Sequence, residues 1–460
     1  MKNPLDEPVD TDEPEVSDAS MTRRTSWNIR KLLKTVDAYP KLKLASIVIA
    51  ALAILIAVVT LLAPSEADMQ ELHTTEPISV ASPAFLQMLA GLTNTEIIQG
   101  PKPVILNNGS EFIPAMIDQI NQAESSVNFT TYIWSDGVMS DQIYDALIAA
   151  AKRGVEVRVL VDGFAGSPPK DRTQELEDAG GRVEEYKPIG LSKILEYHKR
   201  THRRAIVIDG KTAYVGGAAV DDVWLGNGKS EKEWREVMIE VHGPVARSVQ
   251  NAFADIWTET TGEVLVGERF YPELQQAAVD ATFIHFISSP SESSQTVRAT
   301  LLLSILGSQE KLYITNPYFL PDEQTLLALQ DRARAGVDVR ILVPKGNIWQ
   351  PVLTAQQIHY DDLIKAGVKL YEYNEYVHSK TLTADGAWSL VGSANIDSRS
   401  RVLNDENVLG IADPEFAAEL EAVFMRDLEF SQELTIEKWN KRSIFKKALA
   451  YASYLFAKQY

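Results

Sequence analysis

The 460-residue sequence contains no cysteine. Disulfides, thiolate zinc sites and cysteine nucleophiles are therefore excluded together, and an oxidising compartment is chemically acceptable. Histidine is scarce as well, with seven in the chain, and basic residues are outnumbered 45 to 63 by acidic ones, for a formal charge of −18. A field of that sign repels a polyanion unless basic side chains are locally concentrated, so nucleic acid is not the expected partner. Charge is missing altogether from "LASIVIAALAILIAVVTLLA", Leu44 to Ala63. At about 1.5 Å per residue a helix of this length spans about 30 Å, one bilayer core, and it lacks the polar face of a buried soluble helix.

The charges around that segment give it a direction. Arg23, Arg24, Arg30, Lys31, Lys34, Lys41 and Lys43 precede it, whereas Glu66, Asp68, Glu71 and Glu76 follow, with no Lys or Arg before Lys102. The positive-inside rule sets the N-terminus in the cytoplasm and everything beyond Ala63 on the outer side. The length of the preceding tail and Pro64 just after the segment argue against a cleaved signal peptide. The first 22 residues, rich in Asp and Glu, hold too little apolar surface for a core and are expected to be disordered.

What is present, beyond the anchor, is present twice. "THRRAIVIDGKTAYVGGAAVDD" from Thr201 and "VHSKTLTADGAWSLVGSANID" from Val377 overlay without a gap, matching His202 with His378, Asp209 with Asp385, Gly216 with Gly392 and Asp221 with Asp397. Three more pairs keep the same order: "VNFTTYIW" with "KLYITNPYF", "AAAKRGVEVRVLVDG" with "DRARAGVDVRILVPKG", and "LEDAGGRVEEY" with "LIKAGVKLYEY". Strands alternating with helices make each half an α/β sandwich, and four ordered matches make a duplication. The expected organisation is a tail (1–43), a transmembrane helix (44–63), a linker (64–100), two tandem domains (101–270 and 271–435) and a basic amphipathic tail (436–460).

In each copy an apolar run ends at Asp-Gly, the pair that favours a tight two-residue hairpin turn. Residues two apart on a strand share a face, so His202 projects with Arg204, and His378 with Lys380. Gly216-Gly217 and Gly392-Ser393 would let a ligand approach the backbone closely. An imidazole beside a lasting cation suits a phosphate. Exchange at a phosphodiester needs a nucleophile on one side of phosphorus and an acid for the leaving oxygen on the other, which one copy cannot supply and two can. His198 and His202 are four apart, but the surroundings read as strand and no third zinc ligand is evident.

The twice-written pattern H-x-K-x-x-x-x-D, then G-[GS]-x-N, resembles the phospholipase D superfamily. His378, Lys380, Asp385, Gly392, Ser393 and Asn395 fit it fully; His202, Asp209, Gly216 and Gly217 fit it with two departures, Arg204 for lysine and Ala219 for asparagine. Segments such as "NNGSEFIPAMIDQI" and "VGSANIDSRSRVLNDENVLG" look most like bacterial cardiolipin synthases. The resemblance covers roughly Lys102 to Gln432 and implies two phospholipase D-like domains related by a pseudo-twofold axis.

It further implies a two-step transfer with no metal and no cofactor. His202 would attack phosphorus and form a phosphohistidine; His378 would protonate the departing alcohol and then act as base. Arg204, Lys380 and Asn395, with Ser393, would hold the phosphate oxygens. Glu236 and Glu406 stand where the family places a carboxylate that orients an imidazole, the alternative being solvated acids at strand edges. Asp209 and Asp385 complete the motif, and their Asp-Gly setting assigns them to the turns. Arginine offers a planar fork but more bulk than lysine, and Ala219 removes a donor. The implied substrate is a phospholipid such as phosphatidylglycerol, and the implied location is a bacterial inner membrane with the catalytic part outside. The implied reaction makes cardiolipin. The alternatives are hydrolysis to phosphatidic acid and phospholipid binding without turnover. Lys199, Arg200, Arg203 and Arg204 form a basic patch fitting an anionic head group. The C-terminal stripe of Ile444, Phe445, Ala448, Leu449, Ala452, Leu455 and Phe456 belongs to a basic helix lying on anionic lipid or docked on the protein's own surface.

Overall fold

The apolar runs shared by the two halves are strands, and the helical stretches between them are the crossovers that parallel strands require. The computed structural model describes Ile47 and residues 70–188, 190, 199–274, 279–290, 296–345, 350–442 and 444–454. The described chain opens with α1 (Pro83–Thr93) and β1 (Ile97–Gly100). The first half follows as β2 (Val104–Asn107), α2 (Gly109–Gln122), β3 (Ser126–Thr131), α3 (Val138–Lys152), β4 (Glu156–Asp162), α4 (Lys170–Asp178), β5 (Arg182–Tyr186), β6 (Arg200–Thr201), β7 (Ala205–Ile208), β8 (Thr212–Gly216), β9 (Trp234–Arg235), β10 (Val237–His242) and α5 (Pro244–Thr261). The second half begins with β11 (Ala281–Ser288), α6 (Thr296–Gly307), β12 (Lys311–Thr315), α7 (Glu323–Arg334), β13 (Asp338–Pro344), α8 (Gln350–Ala355), α9 (Tyr360–Ala366) and β14 (Lys369–Tyr373). It ends with β15 (Tyr376–Val377), β16 (Thr381–Ala384), β17 (Trp388–Gly392), α10 (Ser398–Val402), β18 (Asn404–Ala412), α11 (Pro414–Glu429), β19 (Ser431–Glu433), α12 (Ile436–Asn440) and α13 (Ile444–Tyr454).

Two mixed sheets result, ordered β2-β10-β8-β7-β3-β4-β5 and β1-β11-β18-β17-β16-β12-β13-β14-β19. Within them β10-β8-β7-β3-β4-β5 repeats as β18-β17-β16-β12-β13-β14, so the sequence duplication is also a duplication of topology. In both, three strands run parallel and join an antiparallel hairpin. Strands β3, β7, β8 and β17 are buried at every residue, as strands covered on both faces are.

The cover between the sheets is α5 and α11. Pro244 opens α5, where its missing N–H costs nothing, and Gly262 closes it at φ 76°. Its Val245, Val249, Phe253, Ile256 and Trp257 share one apolar cluster with Val207 and Val215 of the first sheet, Phe283, Val391 and Leu409 of the second, and Phe416 and Leu420 of α11. Each large side chain fully buried there contributes about 1.5–3 kcal/mol. The seam between the halves is thus core, and Pro64–Tyr460 forms one compact unit.

The expected linker is also part of the fold from Gln70 onward. Phe85 and Leu89, one turn apart on α1, enter the core of the second half, and the Phe85 ring meets Trp388 edge-on at 5.4 Å. Strand β1 pairs with β11 and extends the second sheet. At the other end, α13 rests on α8 and the 3₁₀ turn Gln356–His359, with Ala450 buried and Tyr454 edge-on to His359 at 5.3 Å. The tail 1–43 and the apolar segment 44–63 lie outside the described residues except for Ile47, which is helical and exposed. No helix among the described residues is long and apolar enough to cross a membrane.

Candidate active site

The two hairpins hold the motifs in place. Asp209 and Gly210 both take positive φ (52° and 62°), as do Asp385 and Gly386 (54° and 62°), the left-handed pair that the turn demands. Each turn carries one residue more than expected, because Ile208 pairs with Thr212 and Ala384 with Trp388. The Asp209 carboxylate accepts from the backbone N–H groups of Glu124, Ser125 and Ser126, and that of Asp385 from Gln309, Glu310 and Lys311. Their oxygens are committed to the strand starts of β3 and β12, which places both carboxylates in the turns.

At the other end of the hairpins the halves exchange strands. β6, just before His202, pairs in parallel with the start of β18, and β15, just before His378, pairs in parallel with β9. The His202 N–H donates to Asp405 O at 2.9 Å, and the His378 N–H to Arg235 O at 2.7 Å. The next residue in each acceptor strand is a glutamate. Consequently Glu406 of the second half holds His202 of the first, 3.0 Å from Nδ1 to either oxygen, while Glu236 of the first holds His378 of the second at 2.7 Å. All four side chains are buried. With Nδ1 committed to carboxylate, Nε2 of each ring is the nitrogen left for chemistry.

The two pairs differ in their surroundings. Glu406 accepts from the Ser393 hydroxyl at 2.5 Å and the Ser400 hydroxyl at 2.7 Å, and Asn404 Nδ2 stands 3.4 Å away. Burial works against its charge, but His202 and the two hydroxyls outweigh it and hold the carboxyl below its ordinary value. The offset that relates the motifs puts Gly217 opposite Ser393 and Trp224 opposite Ser400, so Glu236 receives no hydroxyl there and burial pushes it up. Trp224 instead meets the His378 ring edge-on at 5.3 Å, with Trp234 at 5.2 Å and Tyr376 at 6.3 Å. Among the described residues, Tyr132 lies edge-on to His202 at 5.0 Å.

Burial drives the His202 imidazole down to about 4, with Arg204 adding to the effect, and holds His378 well below 6.5, aided by Lys380 and Arg204. Both rings are therefore neutral at rest, the state a nucleophile requires. Lys380 stands 3.1 Å from His378 Nε2, and burial brings its ammonium down to about 7. Arg204 donates through Nη1 to His202 O, lies 5.8 Å from the Tyr132 ring, and keeps its Nε–H buried without a protein partner. Glu236 and Glu406 act on the charge of both cations, so the two halves form one centre.

Several expected roles change. Ser393 donates its hydroxyl to Glu406 and accepts from the Asn407 N–H at 3.0 Å, so it supports the carboxylate. Asn395 keeps a buried, unpartnered Oδ1, and its N–H donates to Ser400 Oγ at 3.0 Å. The basic patch dissolves: Arg200 turns to Asp162, and Arg203 to Asp255, Ser288 O and Ser289, leaving Arg204 in the site. The glycine ends admit neighbouring strands rather than ligand. A Cβ on Gly392 would sit 2.4 Å from Asn407 O, and one on Gly217 2.6 Å from Glu236 Oε2. His198 lies outside the described residues, and no cluster of metal-binding side chains occurs among the described ones.

Ser400 and Asn407 were missed by the sequence reading. Asn407 clamps the Arg204 backbone from both sides, accepting from its N–H at 3.2 Å and donating to its carbonyl at 3.0 Å. The available signal was adjacency, since both residues flank Glu406 in "SRSRVLNDENV".

The chain is similar to known proteins over most of its length. The family described as cardiolipin synthase, PLD-like domain, matches residues 116–257 and 301–428. The chain is 32% identical to a cardiolipin synthase of Alkalihalophilus pseudofirmus over 358 residues, which is 77% of this chain and 71% of that one. It is 30% identical to cardiolipin synthase A of Proteus mirabilis over 393 residues, 82% and 79% of the two chains. Among solved structures, phosphatidylserine synthase of Haemophilus influenzae shares the fold with a TM-score of 0.63 at 16% identity, across 82% of this chain and 100% of that one. With the repeated motif, the matched domains and these relatives in agreement, the chain belongs to the cardiolipin synthase family of phospholipase D-like proteins.

Proposed function

We propose that the protein is a phosphatidyltransferase that makes cardiolipin from phosphatidylglycerol by way of a phosphohistidine on His202. The observation that carries this reading is the reciprocal pair of buried histidine–glutamate contacts meeting at two cations. In the first step His202 Nε2 attacks phosphorus, the bond to the glycerol oxygen breaks, and His378 in its protonated form gives that oxygen a proton. In the second, the hydroxyl of another phosphatidylglycerol attacks the phosphohistidine, His378 takes its proton, and the P–N bond breaks. An anionic substrate phosphate offsets the burial and cationic neighbours that keep His378 neutral at rest.

The choice of His202 as nucleophile is supported by Glu406. A phosphorylated imidazole carries positive charge, and the carboxylate better held as an anion is the one facing His202. Arg204, with its unpartnered Nε–H, supplies donors on the side where Ala219 supplies none. Leu44 to Ala63 serves as a single membrane anchor, with the N-terminus in the cytoplasm and the catalytic unit on the outer side of a bacterial inner membrane.

The test is product identity. Detergent-purified protein given phosphatidylglycerol should release cardiolipin and glycerol; phosphatidic acid as the only lipid product would make the protein a hydrolase, and no product would make it a binding protein. A reporter fused after Tyr460 should be active outside the cytoplasm.

A further inference from the structure

Helix α13 is turned the wrong way for a soluble surface helix. Phe445 is 83% exposed and Leu449 58%, and Ala448 and Ala452 on the same stripe are exposed too, while the opposite side seats Ala450 at 3%. Positions i, i+3, i+4 and i+7 form one face, and here that apolar face looks outward. The surrounding chain reverses the sign of the protein. No Asp or Glu follows Glu437, whereas Lys438, Lys441, Arg442, Lys446, Lys447 and Lys458 do, in a chain of net charge −18. The helix is also near the chemistry. It rests on α8, whose Val352 and Ala355 pack with Leu320 and Tyr318, and Tyr318 acts on the charge of Arg204. In the first half, Phe164 is 56% exposed in the loop leaving β4, the counterpart of the loop that leaves β13 toward α8.

We propose that the outward face of α13 docks on an anionic phospholipid surface and holds the half that carries His378 against it. An outward apolar stripe with basic neighbours is the pattern of a helix lying in a lipid interface. The choice of lipid over a second copy rests on that charge and on the phospholipid reading above.

The absence of cysteine makes the test clean. In the full chain, Ala448→Cys carries an environment-sensitive nitrobenzoxadiazole label, and Gln122→Cys, at the opposite end of the first sheet, carries the reference label. On reconstitution into phosphatidylglycerol-containing vesicles, the label at position 448 should shift to the blue and be quenched by lipids brominated in their acyl chains. The shift should weaken in phosphatidylcholine alone, and the reference label should stay water-like. Phe445→Glu with Leu449→Glu should abolish the shift at unchanged thermal midpoint, because both side chains are exposed. Water-like emission at 448 in every vesicle overturns the proposal, as does a shift that follows protein concentration in lipid-free detergent, the mark of a second copy. The readout needs no turnover, so a docked but inactive protein would refute the synthase reading alone.

Discussion

Ser400→Ala tests whether the hydroxyls around Glu406 set the state of His202. Ser400 is 1% exposed, donates to Glu406 Oε1 at 2.7 Å and accepts the Asn395 N–H at 3.0 Å. A hydrogen bond to a charged acceptor contributes about 1.5–3 kcal/mol, equivalent to roughly 10- to 150-fold in rate if it is lost in full. Glu406 keeps Ser393 and His202, so the lower part of that range applies: kcat for cardiolipin formation should fall about 10- to 30-fold with KM within about twofold. Because the anion is held less well, the Glu406 pKa rises and the acid limb of the kcat–pH profile moves to higher pH. Ser400→Thr retains the hydroxyl and should recover most of the rate. The assay is initial-rate cardiolipin formation in mixed micelles across pH. Ser304→Ala, which removes a buried partner of Trp388 and the Thr300 carbonyl, serves as the packing control. A loss of kcat at Ser400→Ala with an unmoved acid limb would refute the argument, since it would make Ser400 a packing residue only.

Other perturbations probe separate parts of the site. His202→Ala should abolish the acid-labile phosphoenzyme and turnover together, whereas His378→Ala should slow both steps while leaving His202 open to labelling by an activated phosphodiester; labelled peptide mapping reads the difference. Arg204→Lys should lower kcat/KM by about 10- to 100-fold, because lysine brings no fork and Ala219 offers no donor, and adding Ala219→Asn should restore part of the loss in a double-mutant cycle. Acid should destabilise the fold. The unfolded chain protonates its histidines at about 6.5, whereas His202 stays neutral to about 4, so stability falls with pH through that window, by about 3 kcal/mol for His202 alone. His285 and His378 act in the same direction and Glu236 partly opposes them, which calorimetry from pH 7 to pH 5 should register as a falling midpoint.

The sequence reveals most of the fold because a duplicated chain supplies its own comparison: four matched segments mark the shared strands. It placed His202, His378, Glu236 and Glu406 in one site, yet not their partnership, because pairing across halves depends on strand exchange at β6 and β15, each two residues long and without its own pattern. The contact of Ser393 with Glu406 is hidden for a related reason, since a motif position does not say where a hydroxyl proton goes. The residues 64–100 read as a linker because acidic and polar residues hide the Phe85–Leu89 stripe of α1. Arg200 and Arg203 looked like a basic patch because sequence shows proximity along the chain, whereas Asp162 and Asp255 lie far along it.

The reciprocal contacts also bear on synthesis of the protein. His202 and Glu406 are 204 residues apart in the chain, and His378 and Glu236 are 142 apart. These are among the last contacts that a chain emerging from the ribosome can make, and loop-closure entropy defers them further. A partly made or truncated chain ending before Glu406 lacks the carboxylate for its own first histidine, however well its first sheet has folded. The exchange thereby ties the first half's site to the second: both histidine–glutamate pairs can close only once the chain has been made through Glu406.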